Sequence, residues 1–270
     1  MMKLLFRLLV FLIYLFLLAP LFFVAVSSLG RQAILAFPPD SITFAWYGAI
    51  PSQLVDSLWI SLKAAFATTF VSTILGIWIA FAIARGRGAF SHFLRTISIA
   101  PLSVPHLAIG IALYQTSMMF WDLSGMMLAG NFWGLVLGQS VIALPYVVRG
   151  VMAGQAHHQA QIEEAAVSLG ASPWRALFEI TLPMIRPGLI SGAFLAFFAS
   201  FDDVPVALFM GGGANTTTFP LQVLASLEFS LKPDIMALST LIMVGSIVLL
   251  LILDKLFGVE RFLRGNAANA

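Results

Sequence analysis

Six apolar runs, each about as long as a membrane helix, constrain this chain more than any other feature. A helix rises about 1.5 Å per residue, so roughly 20 apolar residues cross the hydrocarbon core of a bilayer. Apolar residues make up 60% of the chain and charged residues only 10%, whereas a soluble domain carries about 25% charge. We therefore expect an all-α integral membrane protein with one membrane domain, residues 1–270. The predicted spans are residues 8–29, 57–84, 96–120, 131–148, 189–210 and 235–257.

The first run could be either a signal peptide or a membrane anchor. It follows Lys3 and Arg7, and Ala25-Val26-Ser27 would serve as a cleavage site. The run is nevertheless longer than the roughly 7–15 apolar residues of a signal core. We therefore expect a retained anchor.

The third run is interrupted by Pro101, Pro105 and Gly110. Proline has no N–H group, so the carbonyls it leaves unbonded must be satisfied by protein or by a water-filled cavity. His106 lies about ten residues into this run, roughly 15 Å deep. It fits a position lining a translocation path, and it also fits a histidine hydrogen-bonded between packed helices.

The basic residues orient the predicted spans. Six spans place both termini and residues 157–187 on the same side of the membrane. Eleven of the fourteen Lys and Arg residues fall on that side and three on the other. Because basic residues are enriched in cytoplasmic loops, we expect both termini and this segment to be cytoplasmic. The eleven are Lys3, Arg7, Arg85, Arg87, Arg95, Arg149, Arg175, Arg186, Lys255, Arg261 and Arg264, and the three are Arg31, Lys63 and Lys232.

The polar segment 157–187 predicts a helix–turn–helix elbow between two spans. Four apolar residues at spacings i, i+3, i+4 and i+7 form one stripe on its first helix. Gly170 follows the stripe directly, where a helix often ends on a residue that tolerates positive φ. The stripe must therefore pack on something outside the helix. Its members are Ile162, Ala165, Ala166 and Leu169.

The second helix of the elbow is predicted to begin at Ser172-Pro173, a typical N-cap followed by a first helical residue. Pro183 is expected to help stop this helix. From its periodicity alone, the elbow fits an amphipathic segment lying on the lipid surface as well as a helix that docks a partner. The predicted apolar face of the second helix consists of Trp174, Leu177 and Phe178.

The elbow resembles the EAA motif of permease subunits in binding-protein-dependent ABC importers. EAA stands at residues 164–166, glycine at 170 and ITLP at 180–183, with the family's spacing kept in full. The resemblance extends over about residues 57–257. It implies the MetI-like fold of type I ABC importers, in which the elbow is the coupling helix that docks on a cytoplasmic ATPase.

The resemblance also implies which residues couple transport to the ATPase. Glu164 and Gly170 would shape the elbow, and Ala171, Ser172 and Trp174 are the candidates for direct ATPase contact. The full predicted coupling set is Glu163, Glu164, Ala165, Ala166, Gly170, Ala171, Ser172, Trp174 and Pro183.

The partners follow from the same resemblance. Two ATPase subunits, an extracytoplasmic solute-binding protein, and a second permease subunit or second copy would complete the machine in the inner membrane. The sequence has no G-x-x-x-x-G-K-[ST] loop, so ATP and magnesium are expected on the ATPase partners and no catalysis on this chain. Adjacent His157 and His158 lack metal-ligand spacing, so no metal site is expected. No nucleic-acid partner is expected either.

The solute is suggested by likeness to one branch of the family. Residues 200–203, SFDD, resemble the fifth span of polyamine-type permeases, and residues 101–105 and 143–148 resemble the third- and fourth-span signatures of that branch. This branch also includes iron, phosphonate and opine importers. His106 stands where the branch is expected to have glycine or an acid. A spermidine- or putrescine-type cation is the predicted solute, and the predicted path residues are His106, Phe201, Asp202 and Asp203.

The acidic doublet has two interpretations. Asp202 would lie about 20 Å above the start of its span, and carboxylates inside a membrane usually face a cavity or a partner. Nearby Phe197, Phe198 and Phe201 would then add cation–π contacts. Alternatively, Pro205 ends the helix and both carboxylates are already wet at the outer mouth.

Two other classes of protein compete with an importer subunit. A non-transporting receptor or scaffold could use the elbow to bind a partner. A secondary transporter would be expected to carry ion-coupling acids deep in several spans and an inverted repeat, and the sequence shows neither.

Overall fold

The computed structural model describes residues 2–31, 37–86, 88–155, 159–213, 215–229 and 233–257. Within those ranges the chain is helical and contains no β-strand. The helices are α1 (Met2–Ser27), α2 (Ala45–Gly48), α3 (Ser52–Arg85), α4 (Ala89–Ile99), α5 (His106–Ser124), α6 (Phe132–Gln155), α7 (Gln159–Ser168), α8 (Pro173–Ala176), α9 (Leu182–Phe201), α10 (Pro205–Met210), α11 (Phe219–Phe229) and α12 (Pro233–Phe257).

Two short segments join consecutive helices. A 3₁₀ turn, Ala100–Ser103, follows α4. A π-helical segment, Leu177–Thr181, joins α8 to α9. The chain forms two compact units, one of Met1–Asp56 with Gln222–Ile252 and the other of Ser57–Leu221 with Leu253–Ala270.

The first unit contains α1, α2 and most of α12. Helix α1 is strongly apolar, and none of its apolar window is buried, as expected of a helix whose surroundings are lipid. The loop after α1 is held by side-chain hydrogen bonds: Trp46 Nε1 donates to the Gly30 carbonyl at 2.7 Å, and the Ser28 and Tyr47 hydroxyls are 2.6 Å apart. This loop contains the short helix α2.

Among the described residues, four helices are long and apolar enough to cross a membrane: Lys3–Ser27, Ser52–Arg85, Phe132–Gln155 and Trp174–Phe201. A fifth candidate is the pair Ala89–Ser103 and His106–Ser124, bent by 110°. The sixth predicted span coincides with α12, whose described apolar part is shorter than a span. A multi-pass membrane protein is thereby confirmed, and the count of six spans stays a prediction.

The third predicted span is not a single helix. The chain turns between Ser103 and His106, with Pro105 at the N-cap of α5. Gly110, predicted to be a third break, instead lies inside α5. A Cβ at Gly110 would stand 2.8 Å from the Pro205 carbonyl oxygen, so this glycine serves close packing of α5 against α10.

The prediction that Pro183 stops the second elbow helix is wrong. One helix continues through it from Trp174 to Phe201. Within the π segment the Leu182 N–H bonds to the Leu177 carbonyl, five residues back rather than four. This wider turn accommodates a ring that cannot donate a hydrogen bond. The predicted single span 189–210 is also wrong, because α9 ends at Phe201 and Pro205 begins the separate helix α10.

Helices α6 and α9 form the core of the second unit through a contact that we call the glycine seam, made by Gly150 and Gly154 on α6 and Gly188 and Gly192 on α9. Each pair is spaced G-x-x-x-G, which lets helix backbones approach closely in membranes. A Cβ at Gly150 would lie 2.4 Å from the Gly188 carbonyl oxygen, and one at Gly188 would lie 2.3 Å from that of Gly150. Fully buried apolar side chains flank the seam: Val147, Val151, Ile185 and Ala196.

Candidate coupling elbow and polar cluster

Helix α7 ends in the geometry predicted for Gly170. Its φ is +95°, a conformation that side chains with a Cβ rarely adopt. The Ala171 N–H donates to the Ala166 carbonyl and the Gly170 N–H to the Val167 carbonyl, both at 3.0 Å. These two bonds constitute a Schellman motif. In the described part of the chain, no atom beyond the neighbouring residues lies within 4 Å of an added Cβ, so the backbone angle requires glycine here.

The second elbow helix begins as predicted. The Arg175 N–H donates to Ser172 Oγ at 3.3 Å, and the Ala176 N–H donates to the Ser172 carbonyl at 3.0 Å. Ser172 is therefore the N-cap, and Pro173 is the first residue of α8. ATPase contact by Ser172 stays a prediction.

The apolar stripe of α7 remains open. Leu169 is 90% exposed and Ile162 is 42% exposed. Ala165 is exposed and Ala166 is half-buried. The predicted apolar stripe therefore exists, and most of it does not pack against the described part of the chain.

The predicted apolar face of the second elbow helix is only partly buried. Leu177 is buried, but Trp174 and Phe178 are each more than half exposed. The Trp174 ring lies 6.3 Å from that of Trp78 on α3 and 6.5 Å from that of Phe178. Trp174 thus belongs to an exposed aromatic cluster that also includes the Trp78 ring of α3.

Of the two adjacent glutamates, Glu163 turns inward. One carboxylate oxygen pairs with Arg85 at the end of α3, and the other accepts a hydrogen bond from Thr181 Oγ1 at 2.9 Å. The side chain of Glu164 lies outside the described residues, as do His157 and His158.

The two adjacent aspartates, Asp202 and Asp203, have different surroundings in the fold. Asp203 is 4% exposed, and its carboxylate accepts the N–H of Ala207 at 2.9 Å and that of Val206 at 3.4 Å. It therefore caps the N-terminus of α10. Asp202 ends α9 and is exposed. Pro205 does end the helix, as one interpretation required, but it leaves the two carboxylates in different surroundings.

A buried polar cluster surrounds Asp203. Gln139 on α6 is fully buried; its Nε2 donates to the Ser200 carbonyl at 3.1 Å, and Ser200 Oγ donates to Gln139 Oε1 at 2.7 Å. Gln139, and His106 at the start of α5, are both close enough to the Asp203 carboxylate to interact with it electrostatically. Each buried polar group in this cluster thus finds a protein partner, as membrane burial demands.

Phe201, which directly precedes Asp202 in the chain, joins a row of aromatic rings. Its ring stacks on that of Phe197 at 5.8 Å between centroids and 10° between planes, and the Phe197 ring lies 5.0 Å from that of Phe66 on α3. Phe201 thus belongs to this aromatic row, whereas His106 lies close to the buried carboxylate of Asp203.

Sequence reasoning overlooked Gln139, Arg85 and Thr181. Gln139 carried a signal, since an amide inside an apolar run must find a partner in the membrane. Arg85 was counted only for its charge. Its pairing with a residue 78 positions away is a tertiary contact that local pattern does not reveal.

Several apolar spans, joined by a polar elbow whose first helix ends on a left-handed glycine, define the membrane subunit of a transporter. Residues 72–259 match the family model of the binding-protein-dependent transport system inner membrane component. The chain belongs to this family and is a permease subunit of a type I ABC importer.

Relatives with several solutes match the chain. It is 31% identical to the putrescine transport system permease protein PotI of Escherichia coli K12, over 84% of this chain and 82% of that protein. It is 28% identical to the spermidine/putrescine permease protein PotC of the same organism, over 88% of each chain. It is 32% identical to the molybdenum transport system permease protein ModB of Mycobacterium tuberculosis H37Rv, over 72% of this chain and 76% of that protein.

Solved structures support the fold. An amino acid ABC transporter crystallised with histidines matches with a TM-score of 0.57 at 18% identity, covering 82% of this chain and 98% of that one. The MetNI methionine ABC transporter in an inward-facing form matches with a TM-score of 0.55 at 19% identity, covering 78% and 95%. The MetI-like fold expected from the EAA motif is confirmed, and family membership favours transport over a receptor or scaffold.

Proposed function

We propose that this chain forms half of the translocation path of an importer for a polyamine or a related cationic amine. The observation that carries the proposal is the exposed carboxylate of Asp202, which directly follows Phe201 in the chain, while the Phe201 ring stacks on that of Phe197. A carboxylate attracts ammonium groups, and aromatic faces add cation–π attraction of about 0.5–2 kcal/mol. The putrescine and spermidine relatives support the same solute class.

The rest of the machine follows from the family. Two ATPase subunits would bind ATP and magnesium on the cytoplasmic side and dock on α7, whose stripe is open. A second permease subunit, or a second copy of this one, would complete the path, and a solute-binding protein would deliver the amine from outside. The proposed contacts to the ATPase include Ala171, Ser172 and Trp174.

Because only Asp202 of the two aspartates is exposed, its charge is predicted to matter for transport. In a reconstituted complex, Asp202→Asn should lower putrescine or spermidine uptake about tenfold, equivalent to roughly 1.4 kcal/mol, because it removes the exposed charge. Asp202→Glu keeps that charge and should retain most of the uptake. Unchanged uptake in Asp202→Asn, measured with radiolabelled amine, would contradict the cation proposal.

A second candidate solute is a molybdenum species, favoured by the identity to the molybdenum transport relative. In water such a species is an anion, which a free carboxylate would repel. The same vesicles should therefore be offered molybdate. Uptake of molybdate but of neither amine would reject the amine proposal in favour of this one.

The proposed orientation places the elbow and both termini in the cytoplasm. The chain has no cysteine, so introduced thiols can be labelled without background. In intact cells, a membrane-impermeant maleimide should label Thr217→Cys, between α10 and α11, and should label Ser91→Cys on α4 only after the cells are opened. Labelling of both positions from outside would contradict the topology.

A further inference from the structure

We infer that Glu163 is a positioning residue that ties α7 to two other segments, so that a push on the elbow reaches both of them. The inference rests on the proposed ATPase partner. It concerns how the elbow is held, and Glu163 itself need not touch that partner.

A single carboxylate connects three parts of the second unit. Glu163 lies on α7; its Oε1 pairs with Arg85, the last residue of α3, and its Oε2 accepts from Thr181. Thr181 closes the π segment that leads into α9. Both oxygens are therefore engaged, each by a different segment.

Two of the three side chains have further restraints, although the Arg85 side chain is 56% exposed. Thr181 is 3% exposed, so its hydroxyl cannot swing freely into solvent. The Arg85 guanidinium carbon lies 5.4 Å from the centroid of the Phe81 ring, within cation–π range. The Glu163 side chain is 21% exposed, so its ionic hydrogen bonds are partly shielded from water.

Apolar packing contributes little to holding α7 in position. Ile162 and Val167 are each 42% exposed and Leu169 is 90% exposed. A helix with so much open apolar surface could roll about its own axis unless polar contacts fixed it. Glu163 supplies contacts of that kind, from the side of α7 that turns toward the spans.

The π segment explains why such a link would transmit motion. Wide helical turns are frequent at functional sites, where a helix can adjust. When α7 is displaced, the Thr181 hydroxyl and the Arg85 guanidinium must follow or leave a half-buried charge unpaired. Movement at the elbow is thereby passed to the end of α3 and to the beginning of α9 together.

The test compares ATP hydrolysis with solute uptake in the same vesicles, using the complete transporter. Glu163→Gln should raise the number of ATP molecules hydrolysed per solute about fivefold or more, the range of ordinary coupling between sites. Co-purification of the ATPase should remain as in wild type. Glu179→Gln is the matched control: it breaks the exposed Arg175 pair in the same elbow and should leave the ratio unchanged.

Two further variants keep the test decisive. Thr181→Val removes one of the two bonds with little change in shape and should also raise the ratio, to a smaller extent. The exchange of Glu163→Arg with Arg85→Glu should recover part of the coupling that either single change loses, as a direct pair requires. An unchanged ratio in both Glu163→Gln and Thr181→Val overturns the inference.

The proposed function fails in a different way. If the wild-type chain binds no ATPase, the importer model itself is rejected. If Glu163→Gln abolishes ATPase binding while Thr181→Val has no effect, Glu163 is a direct ATPase contact and the positioning role is rejected.

Discussion

Replacing Gly150 with leucine should prevent α6 and α9 from assembling, and it should give the largest loss of folded protein of any single change proposed here. A Cβ at this position would lie 2.4 Å from the Gly188 carbonyl oxygen and 2.9 Å from the Gly192 Cα. Overpacking costs about 1–3 kcal/mol where side chains can yield; here the obstructing atoms are backbone, so the cost should be higher. Size-exclusion profiles in detergent and thermal unfolding would measure the loss.

The control for this change is Gly245→Leu. Gly245 is also a glycine inside a long apolar helix, α12, but no described atom outside its own helix backbone lies within 4 Å of its added Cβ. It should tolerate leucine with little change in yield or melting temperature. Equal behaviour of the two variants would contradict the role of the glycine seam.

Replacing Gly170 with valine should leave the protein in the membrane but disconnect it from the ATPase. The left-handed conformation costs a residue with a Cβ about 1–2 kcal/mol. A change of that size lowers the ratio of native to altered elbow by about 5- to 30-fold. Uptake by the reconstituted complex should fall accordingly, and the amount of ATPase that co-purifies should fall with it.

Asparagine at the same position separates backbone geometry from loss of a small residue. Among residues other than glycine, asparagine enters the left-handed region readily, and open space surrounds the position. Gly170→Asn should therefore retain more uptake and more bound ATPase than Gly170→Val. Normal uptake with normal ATPase binding in the valine variant would show that the elbow does not need this turn.

Local chemistry made the elbow predictable. The glycine that ends α7 and the serine that caps α8 each satisfy backbone groups within a few residues of themselves, so short patterns reveal them. Pro183 misled for a related reason. Proline usually ends a helix, but here the five-residue π-helical segment accommodates the missing N–H group. No pattern in the sequence predicts that segment.

The contacts of the buried polar cluster could not be predicted from local sequence patterns. The doublet at 202–203 was recognised as a site, yet its two carboxylates could not be told apart, because their difference depends on where α10 begins. Gln139 and Ser200 meet across 61 positions. Such contacts arise from the way α6 and α9 cross, and the crossing is set by glycines whose partners lie on the opposite helix.

The glycine seam also has a mechanical meaning. Side chains that interlock can change rotamer and let helices slip, but backbone in contact with backbone has no such freedom. A slide of one residue, about 1.5 Å, would bring a side chain against a carbonyl oxygen where the seam now has hydrogen. Helices α6 and α9 therefore behave as one rigid strut, with the elbow at one end and the Gln139–Ser200 bridge, next to Asp203, at the other.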